Sequence, residues 1–397
     1  MHTTTTLILG GGFGGIAAAR TLRSLLPEEH KIILIDRSST FLVGATKTWV
    51  MLGEKHPDEV TVNRSTLIPE NVEFIETEIE KIDCGNGIVI TSQGEFRGDY
   101  LIIALGADLT MDSVPGLKEA AYSFYSLGDA IKLQDELREF REGEIVILIP
   151  EIPIKCPPAP YEAALMLDHH FRQLNIREKI SITMCTIEPG PMPTAGTEMG
   201  AYIRSLLEER AIAYHPMKNT VSVDSENKKI VFEDGEEKSY QLLLTVPRHK
   251  APEVITNAGL TNESGWIPVD PKTLKATVHN SPMKVYAVGD NTSISLPGRY
   301  KPDKPLVLPK AGVFAASQGI VAAKQIDAEI RGEKSADEFD GKGYCYIEMG
   351  GEKAIKGEGA FFEMPHPKME KRSPDSEQYQ DKVNWINSWL KGAGIKL

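Results

Sequence analysis

Short apolar runs punctuated by glycine and proline recur along this chain, and their length and period predict its elements. Leu7-Ile8-Leu9 and Ile32-Ile33-Leu34-Ile35 read as short buried strands. Between them, Ile16 to Leu22 reads as a helix, with alanines where it must lie close to a sheet. Tyr100-Leu101-Ile102-Ile103 and Val285-Tyr286-Ala287-Val288 are further apolar strands, each ending in a small-residue turn. The order strand, helix, strand then repeats: Gly143 to Ile149, Tyr161 to Leu174, and Lys179 to Met184. Pro309 followed by an alanine-rich run marks another helix start. Near the C-terminus, Val383, Trp385, Ile386, Trp389 and Leu390 fall on one face of a helix running from about Glu377 to Lys391.

These elements describe an α/β chain, and 397 residues give room for two or three domains. A formal charge of −12 argues against nucleic acid as a partner and against electrostatic docking on anionic lipid. No apolar run approaches the roughly 18 residues of a membrane span. The stretch Met1 to Thr6 has none of the three regions of a signal peptide, so a cytoplasmic location is expected. Four scattered cysteines, Cys84, Cys156, Cys185 and Cys345, include no Cys-x-x-Cys pair. That excludes a disulfide scaffold, and no metal site is expected.

The turn after the first strand is Gly10-Gly11-Gly12-Phe13-Gly14-Gly15, in which Gly10, Gly12 and Gly15 fill G-x-G-x-x-G. The first permits the tight turn, the second lets a pyrophosphate approach the backbone, and the third lets the helix pack closely. Asp36 closes the next strand, 21 residues after Gly15 and beside Arg37, where an acid would hydrogen-bond a ribose hydroxyl. Ala104 to Gly106 and Gly289-Asp290 end the two later strands. Together these segments resemble the flavoproteins of the pyridine-nucleotide-disulfide oxidoreductase group. The resemblance implies FAD, with Gly289 and Asp290 near its ribityl-phosphate part. Lys310 and Ala311 would stand at a helix N-terminus facing the isoalloxazine; the bland alternatives are a helix cap at Asp290 and a solvated lysine at Lys310.

The second unit lacks this turn. Its strand and helix are joined by Pro150 to Pro160, in which five prolines fix φ, remove N–H donors and leave no cradle for a pyrophosphate. Cys156 stands there instead, where a helix dipole would be expected to stabilise its thiolate. The stretch Cys156-Pro157-Pro158-Ala159-Pro160-Tyr161-Glu162 resembles the flavoprotein subunit of flavocytochrome c sulfide dehydrogenase, a relative of sulfide:quinone oxidoreductase. Ala258 to Thr273, Pro309 to Gly312 and Gly343-Tyr344-Cys345-Tyr346 resemble it too. The resemblance implies that Cys156 and Cys345 form a redox-active disulfide attacked by sulfide. It makes Glu162 the acid/base candidate, its bland alternative being a glutamate of a helix first turn.

The chain departs from that family as well. Phe41 to Val50 carries no cysteine to tether the flavin, so the FAD is expected to be non-covalent. Trp49-Val50 there resembles the quinone reductases, which places Trp49 among the cofactor residues. Cys84, Cys185, His169 and His170 read as packing or surface residues. The acceptor is expected to be quinone, with cytochrome c as the alternative. The aromatic face of the terminal helix could rest at a bilayer, on the FAD domain or on a second copy of the chain in a homo-oligomer. A type II NADH:quinone reductase and a non-catalytic flavin-binding protein are the more distant readings. The expected layout is two Rossmann-like dinucleotide-binding folds, the second degenerate, plus a small C-terminal interface domain. FAD-binding segments would span 1–112 and 255–331, the degenerate fold 113–254 and the interface domain 332–397.

Overall fold

The computed structural model describes residues 3–392. Met1 and His2, part of the stretch read for a leader, and residues 393–397 of the expected interface domain lie outside them.

Thr5–Leu9 is the central strand of a five-stranded parallel sheet. Lys31–Asp36 and then Glu73–Glu76 lie on one side, and Tyr100–Ile103 and then Lys284–Ala287 on the other. Successive side chains leave a strand on opposite faces, and both faces here are covered. Ile8, Leu34 and Ile102 enter one core; Leu7, Leu9, Ile33, Ile35, Leu101 and Ile103 enter a second. This is why these strands are continuously apolar rather than alternating.

Two helices, Phe13–Leu25 and Gly312–Arg331, cover the first face. They cross so tightly that a Cβ on Gly319 would lie 2.2 Å from the Gly14 carbonyl oxygen. The alanines at 17, 18 and 19 serve the same close approach to the sheet.

A second parallel sheet has the order Ile212–His215, Ile180–Thr186, Gly143–Ile149, Leu242–Thr245. The helix Ala159–Gln173 is buried continuously from Pro160 to Asp168. A helix apolar around most of its circumference belongs inside a protein, and this one is packed between the second sheet and the C-terminal part of the chain.

That C-terminal part is an antiparallel sheet of Lys342–Glu348, Ala354–Ala360 and Lys368–Asp375, followed by the helix Ser376–Leu390. Asp375 caps the helix by accepting the Gln378 N–H at 2.8 Å. Its aromatic face does not look outward. Trp385 stacks on Phe13 with centroids 5.8 Å apart, and Trp389 meets the same ring edge-on at 4.6 Å and Phe41 at 5.9 Å. Of the settings expected for this face, packing on the first unit is the one observed. Among the described residues no helix is long and apolar enough to cross a membrane.

The helix crossing gives the first prediction. Gly319→Val should destabilise the protein by about 1–3 kcal/mol in denaturant unfolding, because the new side chain meets backbone that cannot retreat. A stability equal to that of the unmutated protein would show that the two helices can separate freely.

Candidate active site

Gly10 has φ +95°, and a Cβ there would fall 2.4 Å from the Ala104 oxygen, so only glycine makes this turn. A Cβ on Gly15 would lie 1.8 Å from the Gly10 oxygen. Gly12 differs: nothing lies within 4 Å of its missing Cβ. It opens on a cleft of about 970 Å³ whose walls include Gly10, Asp36, Arg37, Ala104 and Gly106. Gly12 is also the N-cap of the Phe13–Leu25 helix and has no side chain to satisfy its first N–H groups. Asp36 is held at the cleft by the Gly11 N–H at 2.6 Å and the Ser38 N–H at 3.0 Å, and its carboxylate pairs with Arg64 at 3.2 Å. Arg64 also donates to the Gly11 oxygen at 2.6 Å. No local motif announces it in the sequence.

Gly12, Ala104 and Gly106 also border a second cavity of about 320 Å³, which continues the groove inward. Phe13, Gly14, Gly289, Asp290, Lys310 and Ala311 line it. Gly289 is fixed by its N–H donating to Gln318 at 2.7 Å. Asp290 caps no helix with its side chain. Lys310 is not solvated: its ammonium donates to the carbonyls of Asp290 at 2.7 Å and Thr292 at 2.8 Å and lies 3.4 Å from the centre of the Trp266 ring. Burial lowers its pKa to about 8. The helix Gly312–Arg331 begins at Ala311, again without a side-chain cap, so a second set of free N–H groups borders the groove. Trp49 donates its indole N–H to Glu348 at 2.8 Å inside the core, while its neighbour Thr48 lines the inner cavity.

Cys156 and Cys345 border the same inner cavity, both as free thiols. Cys156 sits in the left-handed region, φ +48°, a conformation costly for a side chain with a Cβ. Backbone bonds hold it there: its N–H donates to the Lys310 oxygen at 2.7 Å, and its oxygen accepts from the Tyr125 hydroxyl at 3.0 Å. Cys345 lies mid-strand opposite Gly357, whose missing side chain leaves room beside the sulfur.

The thiolate stabilisation expected from the helix at Cys156 is not what the surroundings produce. Burial, then the Glu162 charge, push the Cys156 thiol up to about 11, against opposing pulls from Lys47 and Lys382. Burial, then Cys156 and Glu162, push Cys345 up to about 12. Desolvation outweighs the dipole because both sulfurs stand in apolar surroundings. Cys84 and Cys185 are buried fillers, as expected, with thiols raised to about 11 and about 12 by burial. His169 accepts the Gly351 N–H at 3.0 Å, and His170 packs edge-on against Phe171.

Glu162 is buried against the same cavity and belongs to a cluster the sequence did not disclose. Lys382, 1% exposed, donates to Glu162 at 3.1 Å and to Glu348 at 2.7 Å. Glu162 also accepts the Glu348 N–H at 2.9 Å and the Thr48 hydroxyl at 3.3 Å. Burial raises the Glu162 pKa, as anticipated; Lys382 opposes that rise and Glu348 adds to it. The two carboxylates raise Lys382 despite its burial. Lys382 could have been noticed: with Ile386 and Trp389 it falls at i, i+4 and i+7 on an otherwise apolar face.

Residues 4–148 match the family described as pyridine nucleotide-disulphide oxidoreductase, and residues 130–247 match the central part of the sulfide dehydrogenase [flavocytochrome c] flavoprotein chain. The chain is 26% identical to the mitochondrial sulfide:quinone oxidoreductase of Mus musculus, covering 90% of this chain and 78% of that protein. It is 28% identical to the sulfide-quinone reductase of Aquifex aeolicus, covering 82% and 76%. The X-ray structure of sulfide:quinone oxidoreductase from Aquifex aeolicus superposes with a TM-score of 0.87 at 25% identity, over 99% of this chain and 92% of that one. Over most of its length the chain is similar to sulfide:quinone oxidoreductases, and its residues 4–247 match flavoprotein family models.

These flavoprotein matches imply FAD as the cofactor, and the residues present fit it. The open cradle at Gly12, the acid at Asp36 and two uncapped helix N-termini along one groove suit a dinucleotide with anionic phosphates.

The buried cluster gives the second prediction. Lys382→Met should cost about 3–5 kcal/mol, since two carboxylates lose their counter-charge inside the protein. Adding Glu162→Gln and Glu348→Gln should restore most of that loss in denaturant unfolding. A triple variant no more stable than Lys382→Met would show that packing, rather than charge, holds this region.

Proposed function

We propose that the protein oxidises sulfide through Cys156 and Cys345, with electrons passing to a non-covalent FAD and then to quinone. The observation that carries this reading is that two cysteines 189 positions apart border one cavity continuous with the dinucleotide cleft. The relatives named for sulfide and quinone cover most of this chain, which supports the same substrate and acceptor. Delivery to a cytochrome c is the second reading, favoured by the match of residues 130–247 to a flavocytochrome c chain.

When bound, FAD supplies a two-electron acceptor beside the cysteines. Hydrosulfide attacks the Cys156–Cys345 disulfide; one sulfur leaves as thiolate and the other keeps the added sulfur as persulfide. Glu162, whose carboxyl burial pushes up while Lys382 pulls it down, exchanges that proton with sulfide. Each further sulfide that joins the chain toward polysulfide or sulfur gives up two more electrons, so the cysteines must first pass their pair on to the acceptor before the next attack.

A nicotinamide reductant is disfavoured at the second sheet. The connection there carries prolines in place of glycines, and Glu188, just past the strand Ile180–Thr186, is turned inward. It accepts the Tyr161 hydroxyl at 2.9 Å, and burial raises its pKa to about 7. We read the two parallel sheets as Rossmann-like folds, the second degenerate. In this layout 1–112 and 255–331 hold FAD, 113–254 carries the Cys156 loop, and 332–397 forms the interface domain.

Anaerobic sulfide titration followed by flavin absorbance tests the reading. The unmutated protein should be reduced rapidly, and Cys156→Ser and Cys345→Ser on the order of 10³-fold more slowly. Equal rates in all three would remove the cysteines from the path. In the same cuvette NADH should leave the flavin oxidised, and rapid bleaching would instead favour a type II NADH:quinone reductase. Rapid-mixing of the sulfide-reduced protein should show reoxidation by a short-chain quinone ahead of cytochrome c; the reverse order would favour the second acceptor.

A further inference from the structure

We propose that Lys47 is the counter-charge for the sulfur anion at Cys156, a binding role that rests on the sulfide-oxidising reading above. Lys47 opens the short helix Lys47–Met51 and lines the inner cavity together with Tyr125, Cys156 and Asp290. Its ammonium lies 6.0 Å from the centre of the Tyr125 ring, and that tyrosine donates to the Cys156 carbonyl. Among the described residues no carboxylate stands within ion-pair distance of it, and it makes no side-chain hydrogen bond.

Two other cations of the cavity are engaged elsewhere: Lys382 is held by Glu162 and Glu348, and Lys310 by the carbonyls of Asp290 and Thr292. Lys155 lines the cavity too, but the cations that draw the Cys156 thiol toward its anion are Lys47 first and then Lys382. With Lys382 already held by two carboxylates, Lys47 is the cation left to face a charge at Cys156 that arrives with the substrate. Apolar surroundings, then Lys155, lower its pKa to about 7, while Cys156 and Asp290 pull the other way. An anion at the sulfur and a proton on this amine stabilise each other.

The chemistry requires such a partner. When hydrosulfide opens the disulfide, a new S–S bond forms to the attacking sulfur and the Cys156–Cys345 bond breaks. The electron pair of that bond leaves on one cysteine as thiolate. The sulfide sulfur is oxidised, the disulfide is reduced, and the hydrosulfide proton stays on the persulfide or passes to Glu162. One negative charge enters with hydrosulfide and one remains as thiolate. The cavity must hold an anion throughout, though its walls push both thiols well above their ordinary range.

The test uses the reduced, FAD-containing protein carrying Cys345→Ser, so that Cys156 is the thiol followed. Iodoacetamide alkylation of Cys156, read by peptide mass spectrometry, is measured against pH with Lys47 intact, Lys47→Met, Lys47→Gln and Lys47→Arg. Lys47→Met and Lys47→Gln should raise the apparent pKa of Cys156 by about one unit and slow alkylation several-fold at pH 8, and Lys47→Arg should stay within about twofold of the parent. Flavin content reports folding; should Lys47→Met lose FAD, the opposite expectations for Gln and Arg still decide. Superimposable profiles for Lys, Gln and Arg would overturn the proposal. The assay needs no turnover, so a parent inert to sulfide counts against the proposed function, whereas an unchanged profile in a sulfide-active parent counts against Lys47 alone.

Discussion

The Lys382 ammonium, enclosed between the carboxylates of Glu162 and Glu348, ties together three segments remote in sequence. Taking each of these ions out of water costs several kcal/mol, so the arrangement holds only while all partners are present. Here they are: the Glu348 N–H, the Thr48 hydroxyl and the Trp49 indole complete the carboxylates. Glu162 follows Cys156 by six positions, in the first turn of the helix that begins just after the Cys156 loop, and Glu348 follows Cys345 by three on one strand. The ion that joins the two carboxylates thereby also fixes where the two sulfurs face the cavity. The aromatic seat of Trp385 and Trp389 on Phe13 presses the same terminal helix against the glycine turn.

Electrostatics in this cavity is a contest that desolvation wins at the sulfurs and ion pairing wins at Lys382. A thiol has one weak dipole to draw on at the helix start, whereas Lys382 has two carboxylates in contact. The consequence is a site whose walls push both thiols up, so that any positive charge beside a sulfur anion there acts against the desolvation. The flavin groove answers a different demand. Its two helix N-termini are left without side-chain caps, and glycine leaves the backbone open where phosphates would come close.

The first sheet was legible because its signals are local. A glycine pattern, an acid at the end of the next strand and continuous apolar runs each report on neighbours a few residues away, and Gly10, Gly12, Gly15 and Asp36 stand as that pattern requires. The strands Gly143–Ile149 and Lys31–Asp36 were read to within a residue or so for the same reason. What stayed hidden depends on tertiary pairing. Arg64 reaches back to Gly11 from a turn 53 residues away, and Trp49 meets Glu348 across 299 positions. The two-sidedness of the terminal helix is of this kind too: an apolar aromatic face has the same periodicity whether it meets lipid or Phe13. The thiolate stabilisation expected at Cys156 from its place at a helix start is opposed by burial, which local pattern does not reveal.

The central claim is that Cys156 and Cys345 stand close enough to exchange electrons as a pair. Mild oxidation of the fully reduced protein with diamide, followed by proteolysis and mass spectrometry, measures this most directly. The account predicts one dominant cross-linked species joining the Cys156 and Cys345 peptides, with Cys84 and Cys185 unmodified. Oxidation that instead leaves Cys156 and Cys345 unlinked, or joins either of them to another thiol, would contradict it.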